Sequence, residues 1–305
     1  MDDSTLLSTN KTHSHLSEVQ LRNALMLIIT SVVMIFGSFL FFLALTLSAF
    51  CTKTHLLEQT RYILLMYILL NDTIYLFGCG ILIIFVLLTY MIPVIACIVT
   101  VMFAWSTFLN TPNGLALMAL ERYVAVCHPL RHAEICRVER SSVVIVIIST
   151  FGLLPYIVDV ATVMYLLKEK VFLKKVLCFH ETILTSELRS GFRYAITSSV
   201  FALVALIIIY TYINIMLEVK KSNGDTTASS KARKTVSLHA IHLVLCMTSF
   251  FTPMMGSLKT IPGFRLRYFN FFTFTICPRF LGPIIYGFRD ENIKNHIKRF
   301  VFRHH

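Results

Sequence analysis

The chain has 305 residues, 56% of them hydrophobic and 14% charged, with a net charge of +12 and a mean hydropathy of +0.72. Soluble chains carry about 25% charged residues, so the apolar content exceeds what one core of this size hides, and the bilayer is the expected solvent. Lys and Arg fall in short polar gaps between uncharged runs, which fits membrane flanks rather than a nucleic-acid surface, and the eight cysteines show no CxxC spacing of a zinc domain.

Residues 1–23 form a polar segment without the apolar stretch of a secretory leader, so the first hydrophobic run is expected to direct insertion itself. Seven uncharged or nearly uncharged runs follow, at 24–50, 62–91, 94–120, 143–167, 194–217, 236–258 and 268–288. Each has about 20 residues or more, the length a membrane helix needs. Continuous rather than alternating hydrophobicity excludes an outer-membrane barrel, because backbone polar groups in lipid must then be satisfied within each segment. The expected fold is an all-α membrane protein, a seven-transmembrane helix bundle over 24–288, followed by a tail at 289–305.

Seven spans put the termini on opposite sides. With the N-terminus outside, the cytosolic segments hold 15 Lys/Arg and the outer ones 11, the sense of the positive-inside rule. The sequon Asn10-Lys11-Thr12 and the position of Cys97 and Cys178 beside outer loops point the same way. Asn10 is the expected glycan acceptor; Asn71-Asp72-Thr73 matches the same pattern but lies inside a span.

Charges within spans are few, and each costs roughly 2.5 to 3.5 kcal/mol on insertion scales. Asp72 falls about 15 Å into the second run at the helical rise. It reads either as a cation or proton site that differs between two packings or as a hydrogen-bonded structural carboxyl that stays protonated. Arg279 and Asp159 are further intramembrane charges, and a direct pairing of these two is one option. A transporter relay through Asp72 and Arg279 lacks the Gly/Pro-broken helices that such proteins place in corresponding halves. His239 and His242 share a helix face without a third metal ligand, so no metal and no cofactor is expected, and no paired acids or activated nucleophile mark an enzyme.

The most specific string closes the third run: Glu121-Arg122-Tyr123-Val124-Ala125-Val126-Cys127-His128-Pro129-Leu130-Arg131. It resembles the third-helix signature of rhodopsin-like G-protein-coupled receptors, most closely the odorant-receptor branch. The resemblance extends to Asp72, to Cys97 and Cys178, to Lys231–Thr235 with His239, to Phe251-Thr252-Pro253 and to Pro283-Ile284-Ile285-Tyr286-Gly287, and it implies a short, basic amphipathic cytosolic helix at Asn292–Phe300 after the seventh span. The phrasing around Glu121-Arg122 and Cys277-Pro278-Arg279-Phe280 is similar to that of fish odorant receptors. Departures are Ser38 for a usual Asn, Gly282 for the Asn before Pro283, Glu121 for the commoner Asp and Val236 for a frequent Cys. They take away usual partners of Asp72 and leave Thr111, which implies a polar switch rather than a strong sodium site.

The resemblance implies a disulfide between Cys97 and Cys178 that pins an outer loop over the bundle, and a coupling site formed by Glu121, Arg122, Tyr123 and Tyr286. It also implies an apolar ligand cavity in the outer half, for which Ala104, Trp105, Phe108, Phe251, Met254, Met255, Phe272 and Thr275 are candidates, with helix packing as the alternative duty of each. The implied activity is binding of a small-molecule odorant and activation of a stimulatory, olfactory-type heterotrimeric G protein, raising cyclic AMP. A non-olfactory chemosensory or orphan receptor is the alternative. The implied location is the plasma membrane, in cilia of olfactory neurons, with membrane lipid as a further partner.

Overall fold

The structure is a computed structural model that describes residues 26, 29–31, 33–52, 58–89, 91–166, 175–176, 187–221, 241, 244–245, 247–248, 270, 272–289, 293–295 and 299. Five described helices are long and apolar enough to cross a membrane: α1 (Ile29–Thr52), α2 (Thr60–Thr89), α3 (Val94–Cys127), α5 (Val138–Leu166) and α6 (Glu187–Lys221). They correspond to the first five hydrophobic runs. The run at 236–258 lies largely outside the described residues. The run at 268–288 appears as a π-helical turn, Phe272–Ile276, continuing into α7 (Cys277–Arg289). The wide turn has a local reason: Pro278 has no N–H to donate to the preceding turn, and a π turn is one way a helix absorbs such a gap.

Helices outrun the apolar runs at the ends where they leave the apolar layer. The third run stops at Leu120, but α3 continues through Glu121 and Arg122 to Cys127. It stops there because Pro129 disfavours helical geometry in the residue before it, and His128 sits at φ −135°, ψ 58°. Pro129 then occupies the first turn of a new helix, α4 (Pro129–Ile135), where a missing N–H costs nothing. The connector at 131–142 is therefore largely helical, with only Cys136 and Arg137 between α4 and α5. At the opposite end of α3, β1 (Ile92–Pro93) pairs antiparallel with β2 (Lys175–Val176), Ile92 opposite Val176 and Pro93 opposite Lys175. This ladder lays Lys175–Val176 of the long connector beside the start of α3.

α3 is the central element and packs against α2, α5 and α6. Its burial continues over most of its length from Cys97 to Glu121. Close approach to α2 is set by Gly114, where a Cβ would stand 2.9 Å from Ile68 and 3.2 Å from the Tyr67 ring. Close approach to α5 is set by Gly152, where a Cβ would collide with the Asn110 amide oxygen. Phe39, Leu43 and Phe50 of α1 join Tyr62, Ile68 and Leu76 of α2 in the same core, and Phe50 meets Tyr62 edge to face at 5.9 Å. Burying a side chain of this size contributes roughly 1.5 to 3 kcal/mol in water; in lipid the gain comes from close packing instead.

Candidate functional site

Two polar clusters lie on α3, one at its middle and one at its end. The middle cluster begins with Asp72 on α2, 1% exposed, and Arg279 on α7, 3% exposed. Arg279 Nη1 donates to Asp72 Oδ1 at 2.8 Å and to Thr111 Oγ1 at 3.0 Å, while Nη2 reaches the Phe108 carbonyl at 3.5 Å. Thr111 donates its proton to Asp72 Oδ1 at 2.7 Å and accepts from Asn71 Nδ2 at 2.9 Å; the same amide donates to the Thr107 carbonyl at 2.8 Å. One hydroxyl thus fills its single donor and both acceptor positions. The guanidinium lies 3.8 Å over the Tyr75 ring and 5.7 Å from that of Phe108, a placement in which the aromatic faces add to its stabilisation.

This arrangement bears on the sequence reading of the intramembrane charges. Arg279 pairs with Asp72, while the side chain of Asp159 lies outside the described residues. Thr111 does approach Asp72, but the partner that balances the charge comes from α7. Ser38 does not take part: its hydroxyl donates to Met34 and Ile35 carbonyls of its own helix, at 2.7 and 3.1 Å. Asn71 is buried and bonded on α3, so the sequon it begins is not an exposed acceptor. A buried ion pair stabilises only where its remaining hydrogen-bonding positions are met, and here Thr111 meets one of them for each partner.

The second cluster closes α3. Glu121 is 6% exposed, Arg122 lies with Nε 3.6 Å from Glu121 Oε2, and His132 of α4 has Nε2 at 3.2 Å from Glu121 Oε1. The hydrogen bond to the carboxylate therefore comes from His132. Glu121 Oε2 and Arg122 Nε are buried atoms without a hydrogen bond, so the adjacent pair is held by charge alone. Tyr123 turns the other way, its ring 5.8 Å from Tyr210 of α6 and its hydroxyl 3.4 Å from His128 Nε2. Thr60 at the head of α2 donates to the Cys136 carbonyl at 2.6 Å and ties α2 to the end of α4. Cys136 sits between α4 and α5, and burial together with the negative charge of Glu121 pushes its thiol above the usual range. Sequence reasoning missed His132, whose only signal was a titratable residue within a turn or two of the motif.

The candidate ligand residues divide. Phe108 is buried and belongs to an aromatic group with Trp105 at 5.2 Å, Phe201 at 5.8 Å and Tyr75 at 6.3 Å. It packs as a lid on Arg279. Ala104, Trp105 and Phe272 are partly buried against the core, and Thr275 is 1% exposed. Phe251, Met254 and Met255 lie outside the described residues, as do Cys178, Asn10 and the side chain of Tyr286. Cys97 is fully buried and disulfide-bonded; Cys51, Cys79, Cys127, Cys136 and Cys277 are free thiols. Among the described residues, no group of three or more His, Cys, Asp or Glu is arranged to hold a metal ion.

Long apolar helices packed around a central one, with ion-paired clusters at its middle and its end, define an integral-membrane helix bundle. The family model for the 7 transmembrane receptor (rhodopsin family) matches residues 76–286, and the chain belongs to that family. It is similar to Odorant receptor 131-2 of Danio rerio, 29% identical over 198 residues, covering 63% of this chain and 61% of the relative. It is also similar to Olfactory receptor 52A5 of Homo sapiens, 28% identical over 200 residues and 62% of each chain. Olfactory receptor 51E1 of Homo sapiens is 27% identical over 199 residues, 61% of this chain and 60% of the relative. The chain thus matches about three fifths of the length of these relatives, and the receptors it resembles are of the olfactory kind.

Proposed function

We propose that the chain is an odorant receptor that binds a small molecule in the outer half of its helix bundle and activates a stimulatory, olfactory-type heterotrimeric G protein, raising cyclic AMP. The observation that carries the reading is the reach of α3. Trp105, Thr111 and Arg122 lie on one helix, about 9 Å and then about 16 Å apart at the helical rise, so one rigid element connects the candidate pocket, the Asp72–Arg279 pair and the motif end. Ligand would bind one packing more tightly and shift the population towards it. The sixth span would swing about Pro253, and Arg122, Tyr123 and Tyr286 would then face the G protein. The relatives named odorant and olfactory receptors support this reading.

The same reading places the N-terminal tail, 1–23, outside with Asn10 as glycan acceptor, the bundle at 24–288 in the plasma membrane of sensory cilia, and 289–305 in the cytosol against anionic lipid. A Cys97–Cys178 bridge is supported by the bonded state of Cys97 and by the ladder that sets Val176, two residues before Cys178, opposite Ile92. The test is cyclic AMP in cells that co-express the chain and an olfactory-type stimulatory G protein, across odorant mixtures, with surface display measured. We expect a ligand-dependent rise that Arg122→Ala abolishes at equal display. A rise that survives in Arg122→Ala would remove the coupling assignment.

A further inference from the structure

Glu121 is shared by two cations of unlike kind. One, Arg122, carries a permanent charge but stands 3.6 Å away without a hydrogen bond; the other, His132, is closer at 3.2 Å and holds the bond, yet is charged only when protonated. Histidine is the side chain whose ordinary titration falls nearest physiological pH. We propose that His132 makes coupling sensitive to cytosolic pH, its protonation drawing Glu121 onto α4 and loosening Arg122. The inference rests on the proposed function, which places this end of α3 in the cytosol and gives Arg122 to the G protein.

A neutral imidazole offers the carboxylate one neutral hydrogen bond. An imidazolium brings a full positive charge to the same site, so a single anion must serve two cations, and the one without a hydrogen bond is the one that loses. Several of the other groups around the cluster have partners of their own. On α3, Arg122 is the competitor, while Tyr123 and His128 face each other and Tyr210 of α6. From α2, the near group is the Thr60 hydroxyl, and Arg61 is spent on Gln59 and on the Tyr62 hydroxyl. Beyond α4, burial and then the charge of Glu121 oppose ionisation of the Cys136 thiol, and Arg140 of α5 donates to the Glu134 carbonyl. No second carboxylate among the described residues is paired with His132.

The experiment uses full-length receptor in nanodiscs with purified G protein, so that pH is set directly, and reads basal guanine-nucleotide exchange between pH 7.5 and 6.0. Wild type should gain about two- to threefold relative to His132→Gln, which keeps a donor but cannot be charged. His132→Lys, a fixed cation, should be high at both pH values. A second readout needs no G protein. Hydrogen–deuterium exchange over residues 129–135, corrected for the intrinsic pH dependence, should slow at pH 6.0 in wild type and not in His132→Gln or Glu121→Gln. Exchange of nucleotide that is equally pH-dependent in His132→Gln overturns the pH control alone. Absence of nucleotide exchange at every pH, with the α4 protection still pH-dependent, overturns the coupling reading and the pH control with it.

Discussion

Gly152 presents bare backbone to Asn110, whose buried amide oxygen makes no hydrogen bond. Gly152→Ala should therefore cost about 1 to 3 kcal/mol through overpacking, read as a lower unfolding temperature of the purified receptor. Asn110→Ala in the same chain should return most of that loss, because the obstructing amide is gone; additive losses would show that the two residues do not meet. Cys136 offers a chemical probe at the same scale. Since burial and then Glu121 push its thiol up, little thiolate exists at neutral pH and alkylation should be slower than for an ordinary thiol. Glu121→Gln removes the second cause and should speed labelling of the Cys136 peptide at pH 7.5, whereas an unchanged rate would detach the thiol from that charge. Single residues were partly legible in the sequence. Asp72 and Arg279 announced themselves by the expense of burying charge, but their pairing spans 207 positions, and spacing along a chain carries no record of such a contact. Glu121 and Arg122 read as a couple because they are adjacent, although neighbours on a helix do not face each other; the wide 3.6 Å separation and the transfer of the hydrogen bond to His132 follow from that geometry.

Among elements, the spans were legible because lipid demands a run of apolar residues, and the five described ones follow the hydrophobic runs to within a few residues at most ends. The ends that moved are those where polar residues continue a helix beyond the apolar layer, as Glu121 to Cys127 do in α3. The helix α4 was not visible at all, since it buries none of its residues and so leaves no periodic pattern for a sequence to display. Only Pro129, suited to a first helical turn, hinted at it. Leu130 on α4 is 97% exposed, an apolar side chain on a helix that buries nothing within the fold. Against the G protein it would serve as an anchor, and Leu130→Ala should reduce nucleotide exchange by about fivefold or more at unchanged ligand affinity and surface display. A variant with wild-type exchange would take α4 out of the docking face.

At the scale of the whole molecule, the Asp72–Arg279 pair joins α2 to α7 with Thr111 of α3 between them, so three helices share one electrostatic unit. Removing one member strands the other charge in a dry interior, and Asp72→Asn or Arg279→Gln alone should each cost about 3 to 5 kcal/mol. The double variant should lose much less than the two losses combined, as measured by thermal unfolding in detergent; a double variant as damaged as that combination would deny the pair its coupling role. The ion pair has another consequence. The cation that balances Asp72 is residue 279 of the same chain, so its local abundance is fixed by the fold and cannot be diluted or exchanged. With Arg279 in place, Asp72 needs no dissolved cation as its partner, and mass action gives the surrounding salt no such handle on the pair. On the proposed function, a receptor built this way keeps a baseline at that point which the composition of the outside water does not set.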